Sequence, residues 1–158
     1  MDKVYISPEG LKKLKQKLKR MIEVERPAVI MDIATAREQG DLSENAEYTA
    51  AKEHQKFLEG EIAKLQMKFA ALRVVNMDEI NKNEVRFGAK LELFDLKRDV
   101  IVNYKIVGED ETGKEGNMRK ISCKAPISKA LLGKKMGDEV EVKAPVGILK
   151  YKIKSIKY

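Results

Sequence analysis

The sequence predicts an α+β protein: an antiparallel coiled-coil hairpin followed by a small antiparallel sheet with one short helix. Three observations predict it. Two long segments carry apolar residues at spacings of three and four, and a short turn joins them. Past residue 75 the period falls to two. Gly, Pro and Asp then punctuate short alternating runs, as turns do between strands.

The first helix begins at Ser7-Pro8, with Ser7 as N-cap and Pro8 at the first helical position, where its missing N–H costs nothing. Leu11, Leu14, Leu18 and Met21 start its stripe, and Ile22, Val29, Ile30, Ile33 and Ala36 continue it after a change of phase near Pro27. That proline should kink or locally break the helix. The second stripe runs through Ala51, His54, Leu58, Ile62, Leu65, Phe69 and Leu72. Each arm is expected to run about 30 residues, or about 45 Å. Gly60 inside the second arm should weaken it by about 1 kcal/mol relative to alanine.

Strands are expected at residues 85–94, 100–107 and 118–123, around Val140 and Val142, and at 149–153. Residues 108–116 read as a polar loop, Gly137-Asp138 as a turn and Pro145-Val146-Gly147 as a hairpin turn. Residues 127–132 read as a short helix between Pro126 and Gly133. The organisation is therefore a hairpin at 1–75 with its tip at 40–48, a linker at 76–84 rich in asparagine, and a second domain at 85–158.

Composition excludes several classes. No apolar run approaches the roughly 18 residues of a membrane span, and residues 1–6 lack the basic flank and apolar core of a signal peptide. A single cysteine, Cys123, allows no internal disulfide and no cysteine zinc cage, and it reads as a small buried strand residue. The expectation is a soluble, cytoplasmic protein without a membrane partner. The net charge of +7 fits a partner near nucleic acid, but composition alone favours a solvated surface. Glycines 108, 113 and 116 match no phosphate-binding fingerprint. His54, the only histidine, occupies a seam position and has no second histidine to make a metal set.

The candidate chemistry lies at the tip. Asp41, Glu44 and Glu47 put three carboxylates in seven residues. One reading is a capping box, with Asp41 accepting from the first turn of the second helix and Glu44 reaching back. It leaves Glu47 unexplained. The other is a pair of hard oxygen donors for Mg²⁺, an ion that takes one or two protein carboxylates and keeps other ligands from water and phosphate. Arg37 and Lys52 flank the tip, either as salt-bridged surface or as contacts to phosphates. Lys12, Lys13, Lys15, Lys17, Lys19 and Arg20 read as a solvated helix face. No aromatic is interleaved, so they form no stacking platform for single strands.

The stretch Ala36-Arg37-Glu38-Gln39-Gly40-Asp41-Leu42-Ser43-Glu44-Asn45-Ala46-Glu47-Tyr48 closely resembles the signature of bacterial Gre transcript-cleavage factors. Phe87-Gly88-Ala89, Tyr104-Lys105-Ile106-Val107-Gly108, Ala130-Leu131-Leu132-Gly133-Lys134-Lys135, Gly137-Asp138 and Ile156-Lys157-Tyr158 resemble the family's second domain, so the likeness covers nearly the whole chain. The resemblance implies an FKBP-like second domain that docks at the rim of the RNA polymerase secondary channel, through a loop matching Ala125, Pro126 and Ile127. It implies a coiled coil inserted into that channel. It also implies that Asp41 and Glu44 hold a Mg²⁺ shared with the polymerase active site, while Arg37, Ser43, Asn45, Tyr48 and Lys52 shape the tip or contact polymerase and the backtracked RNA 3′ end. The factor would have no cofactor of its own. It would be a monomer and no enzyme by itself, stimulating the polymerase to cleave its own transcript in trans. Residues 51–61 resemble the A-type more than the more basic B-type. Where the family commonly reads Ser-Pro-Ile, this chain has Ala125-Pro126-Ile127.

The alternative within this resemblance is a channel-binding inhibitor without cleavage activity, against which the intact Asp41/Glu44 spacing argues. An autonomous prolyl isomerase and a chemically silent coiled-coil adaptor are the rivals outside it.

Overall fold

The computed structural model describes residues 3–41 and 45–158. The chain divides into two compact units, one of Lys12–Leu72 and one of Lys3–Leu11 with Arg73–Tyr158. The expected boundary assigned all of 1–75 to the hairpin; in the structure the N-terminal strand and the first turn of the first helix belong to the second unit.

The first unit is a helical hairpin. One arm comprises α1 (Pro8–Arg20), a π-helical stretch (Met21–Glu25) and α2 (Arg26–Arg37); the other is α3 (Ala46–Ala71). Pro27 is accommodated by a wider turn upstream of it. The Arg26 N–H bonds the Met21 carbonyl, five residues back, so one extra residue is absorbed before the proline removes its own donor. The seam therefore passes from Met21 to Val29 across eight residues and still faces the partner arm. Met21, Val29 and Ile33 pack with Leu58, Ile62 and Leu65, flanked by Leu14, Leu18 and Phe69. Two seam expectations fail. Ile30 is 53% exposed, and His54 is exposed while Gln55 is half-buried. The seam in that turn runs Ala51, Gln55, Leu58. Arg26 and Glu59 join the arms by a two-pronged ion pair at 2.7 and 2.8 Å, a geometry that suits a guanidinium and a carboxylate.

The second unit is built on a six-stranded sheet of order β5-β6-β4-β3-β8-β7. Its strands are β3 (Lys90–Asp95), β4 (Val100–Val107), β5 (Gly113–Glu115), β6 (Met118–Ser122), β7 (Glu139–Ala144) and β8 (Gly147–Lys157). The sheet is mixed where a purely antiparallel one was expected, because β4 and β6 run parallel. Their connection is long enough to reverse direction: a 3₁₀ turn (Glu109–Glu111) and then β5, which lies in the stretch expected to be loop. β3 starts five residues later than expected, since Val85, Gly88 and Ala89 are buried ahead of it in non-strand backbone. The short helix α4 (Pro126–Leu131) covers the core, with Leu131 fully buried. Pro145 and Val146 make the tight turn between β7 and β8. A bulge in β8 opposite Glu92 and Leu93 shifts its alternation, so that Ile153 and Ile156 both pack toward the core. Cys123 follows β6, half-buried against that core, and burial pushes its thiol up.

Two short strands that the sequence reading missed, β1 (Val4–Ile6) and β2 (Leu72–Val74), pair in a separate two-stranded sheet. Just beyond β1, Ser7 caps α1 as expected, its Oγ accepting from the Gly10 N–H at 3.0 Å. The same hydroxyl donates to the Glu111 carboxylate. Glu111 also accepts from the Gly108 N–H at 3.0 Å and the Ser7 N–H at 3.2 Å. A side chain at Gly108 would collide with the Tyr5 carbonyl, so only glycine lets these segments approach.

Packing alone makes two predictions. Nothing lies within 4 Å of a Cβ built on Gly60. Gly60→Ala should therefore raise the unfolding free energy by about 0.5–1 kcal/mol, read as a higher urea midpoint. Asp95, 2% exposed, ends β3 and holds the following turn. Its side chain bonds Arg98 Nε at 2.8 Å and the backbone N–H groups of Lys97 and Arg98. The Arg98 side-chain bond, then these backbone bonds, hold its carboxyl below the usual range. A depressed carboxylate stabilises the fold above its unfolded pKa of about 3.9, and that contribution is lost as pH falls through the folded value. Urea titrations of the native protein and Asp95→Asn should differ at neutral pH and converge as pH falls through the folded value of Asp95, which lies below the unfolded one; a gap that persists undiminished at low pH contradicts this origin.

Candidate functional site: the hairpin tip

The tip is assembled by one asparagine. Asn45 is the N-cap of α3: its Oδ1 accepts from the Tyr48 N–H at 3.0 Å. Its Nδ2 donates to the Ala36 carbonyl at 2.6 Å, near the end of α2. One side chain thus satisfies an orphan donor at one helix start and an acceptor at the other helix end. α2 closes with the Gln39 N–H bonding the Ala36 carbonyl at 3.2 Å. Gly40 follows at φ +122°, a conformation that lets the chain leave the helix.

This geometry overturns the capping-box reading of Asp41. The helix starts at Ala46 and its cap is Asn45, so Asp41 lies four residues before the cap, exposed in the turn. Ser43 and Glu44 lie outside the described residues. Glu47 is exposed on the first turn of α3, where an acid meets the positive end of the helix dipole. Among the described residues no group of three or more His, Cys, Asp or Glu is placed to hold a metal ion.

The basic residues flank the turn. The Arg37 guanidinium stacks over the Tyr48 ring at 5.9 Å from its centroid, linking the two arms. Arg37 and Lys52 line one shallow groove of about 230 Å³ together with Ile30, Ile33, Ala34 and Gln55. Lys52 donates to Gln55 at 3.2 Å and also borders a wider groove with Tyr48, Thr49 and Lys56. The structure therefore brings Arg37, Asn45, Tyr48 and Lys52 together around the turn. Gln55 and the Ala36 carbonyl were missed by sequence reasoning. An Asn immediately before a helical run was the signal available for the true cap.

Ala125, Pro126 and Ile127 stand apart from this cluster, in the second unit. Ala125 is the N-cap of α4 and makes no side-chain cap bond; Pro126 is exposed at the first helical position, and Ile127 packs on the core. Ser128 is fully buried, its Oγ donating to the Ser122 carbonyl at 2.6 Å.

Comparison with known proteins defines the class. Residues 4–74 match the family model described as transcription elongation factor, N-terminal, and residues 80–158 match the GreA/GreB C-terminal model. The chain belongs to the GreA/GreB family of transcription elongation factors. Within that family it is of the GreA type. It is 46% identical over 157 residues to transcription elongation factor GreA of Thermodesulfovibrio yellowstonii, covering 99% of this chain and 98% of that one. It is 48% identical to GreA of Pelobacter propionicus, covering 98% and 97%. Among solved structures it is similar to the GreA factor homolog 1 (Gfh1) protein of Thermus thermophilus, with a TM-score of 0.44 and 23% identity over 99% of both chains. No described helix is long and apolar enough to cross a membrane.

The tip geometry makes a stability prediction. Asn45→Ala removes both bonds of the cap and should cost about 1–2 kcal/mol in thermal or urea unfolding. Asn45→Asp keeps the acceptor for the Tyr48 N–H, loses the donor to Ala36 and should fall between. Equal stability of all three proteins would show that Asn45 does not fasten the tip.

Proposed function

We propose that this protein inserts its hairpin into the secondary channel of bacterial RNA polymerase and stimulates the polymerase to cleave backtracked RNA. The observation that carries this reading is Asp41, exposed in a turn whose helix cap is supplied by Asn45. Its carboxylate does not serve as the helix cap, and a hard oxygen donor in an exposed turn suits Mg²⁺. One or two carboxylates cannot enclose an ion that demands near-octahedral coordination, so the fit is to an ion whose other ligands come from a second macromolecule. When bound, Mg²⁺ would polarise the scissile phosphate and activate water for in-line displacement.

The chain's own residues position. Asp41 and Glu44 supply charge at the tip. Asn45 fixes the turn against both arms. Arg37, held by its stack on Tyr48, and Lys52 across the groove offer cations to the phosphates of an extruded RNA 3′ end. Ser43 would contact polymerase or the RNA. Ala125, Pro126 and Ile127 serve docking at the channel rim; the absent hydroxyl at Ala125 leaves that loop with one polar group fewer. The protein acts as a monomer, has no cofactor of its own, and works in the cytoplasm.

The test is a stalled elongation complex carrying labelled RNA. The native protein should shorten the RNA from its 3′ end. Asp41→Asn with Glu44→Gln should slow cleavage by at least about 100-fold. Its melting should be unchanged within about 0.5 kcal/mol, as for surface changes away from caps. If the native protein binds the complex and blocks extension without shortening the RNA, it is a channel inhibitor and the reading is overturned.

A further inference from the structure

Charge is segregated along the hairpin. Residues 12–22 of the first arm and 62–72 of the second contain Lys12, Lys13, Lys15, Lys17, Lys19, Arg20, Lys64 and Lys68, and no Asp or Glu. The remaining stretch, 23–61, holds ten acids against four Lys and Arg. The two basic segments lie across from each other, since Leu14, Leu18 and Ile22 pack in the same cluster as Ile62, Leu65 and Phe69. The Arg26–Glu59 pair marks the border. The hairpin thus has a cationic stem.

The six cations on the first arm are all exposed. Leu14 and Leu18 pack into the seam, and the helical period sorts the cations into two ridges beside it. Lys12, Lys15 and Lys19 form one; Lys13, Lys17 and Arg20 form the other. Lys12, Lys15, Lys17, Lys19 and Arg20 make no ion pair with a described residue. Mutual repulsion over about two and a half turns opposes helix stability, so the array is not explained by local folding.

We infer that this stem is a docking surface for the phosphate backbone of duplex nucleic acid, read without regard to sequence. Three features select that occupant. No large apolar side chain is exposed between residues 12 and 20, and on the second arm of the stem Met67 stands exposed by itself between Lys64 and Lys68, whereas a protein partner is recognised through a buried aromatic or aliphatic anchor with lysine depleted. No aromatic is interleaved, so single strands find no stacking platform. The apolar side of the helix is used in the seam and has nothing to insert into a lipid interface. Rows of Lys and Arg alone are what phosphate binding requires. The inference is independent of the tip chemistry, and its test uses no polymerase.

The test is fluorescence anisotropy of the full-length protein with a short labelled DNA duplex across a salt series. Binding should be present at low salt and weaken steeply. The triple variants Lys12→Gln/Lys15→Gln/Lys19→Gln and Lys13→Gln/Lys17→Gln/Arg20→Gln remove one ridge each. At least one should flatten the slope of log affinity against log salt by about 2.7, near 0.9 for each phosphate no longer neutralised. Between about 50 and 200 mM salt, the native protein's affinity would then fall ~40-fold further than that variant's. The control Lys90→Gln/Lys97→Gln/Lys114→Gln changes net charge equally in the second unit and should leave the slope as it is. Lysine acetylation mapped by mass spectrometry gives a readout that needs no variant: the duplex should protect ridge lysines. No binding at low salt, equal slopes in ridge and control variants, unprotected ridge lysines, or tighter binding to polyglutamate or to phosphatidylserine vesicles would each overturn the inference.

Discussion

The seam between the two arms must stay on one side of each helix for the whole length of the hairpin, and that constraint governs the first unit. Pro27 threatens it, because a proline inside a helix removes a bond and pushes on the turn before it. The π turn ending at the Arg26 N–H absorbs one residue, so that Met21 and Val29 face the same partner arm although eight residues separate them. Without that wider turn the residues beyond Pro27 would rotate by about 100°, and Val29, Ile33 and Ala36 would leave the seam. Everything at the tip inherits its position from this correction.

The tip is then closed by polar bonds. Beyond Ala36 no large apolar side chain remains in the described part of the first arm to pack, and the chain must reverse in a few residues. Asn45 is suited to that place because its amide carries a donor and an acceptor on one short side chain. It bonds the N–H of Tyr48 and the carbonyl of Ala36 together. An aspartate there would cap α3 and lose the donor. The Arg37–Tyr48 stack adds a second tie between arms. The result is that a neutral residue, not an acid of the turn, caps the start of α3.

The second unit solves a different problem, that of holding a mixed sheet of short strands. Its fixed points are polar groups with several partners each. Asp95 holds the β3–β4 turn through three donors. The Tyr158 hydroxyl accepts from the Arg86 N–H at 2.9 Å and donates to the Glu84 carbonyl at 2.6 Å, tying the chain end to the segment before β3. Tyr151 is buried edge-on against Tyr104 with ring centroids 6.4 Å apart, and burial first, then the neighbouring Tyr104, pushes its hydroxyl up to about 12. It therefore stays neutral in the core at any ordinary pH.

Composition and periodicity by themselves determined the hairpin, the change to strands near residue 75, the Ser7 cap, the short helix before Gly133 and the location of the tip. These are local properties: a helix or strand with one wet face writes its period directly into the chain. Tertiary structure decided the rest, and each case has a nonlocal cause. The exposure of His54 and Ile30 depends on the phase of the opposite arm. The identity of the α3 cap depends on where the reversal leaves Asn45 relative to Ala36, so Asp41, an equally good capping residue on sequence alone, does not take that role. The parallel pairing of β4 and β6, and the pairing of β5, β1 and β2, depend on contacts between segments distant in sequence or joined by a crossover, which local pattern does not encode. Three-residue strands carry too little pattern to announce themselves; only a partner strand a long way off in sequence supplies the hydrogen bonds that make them strands.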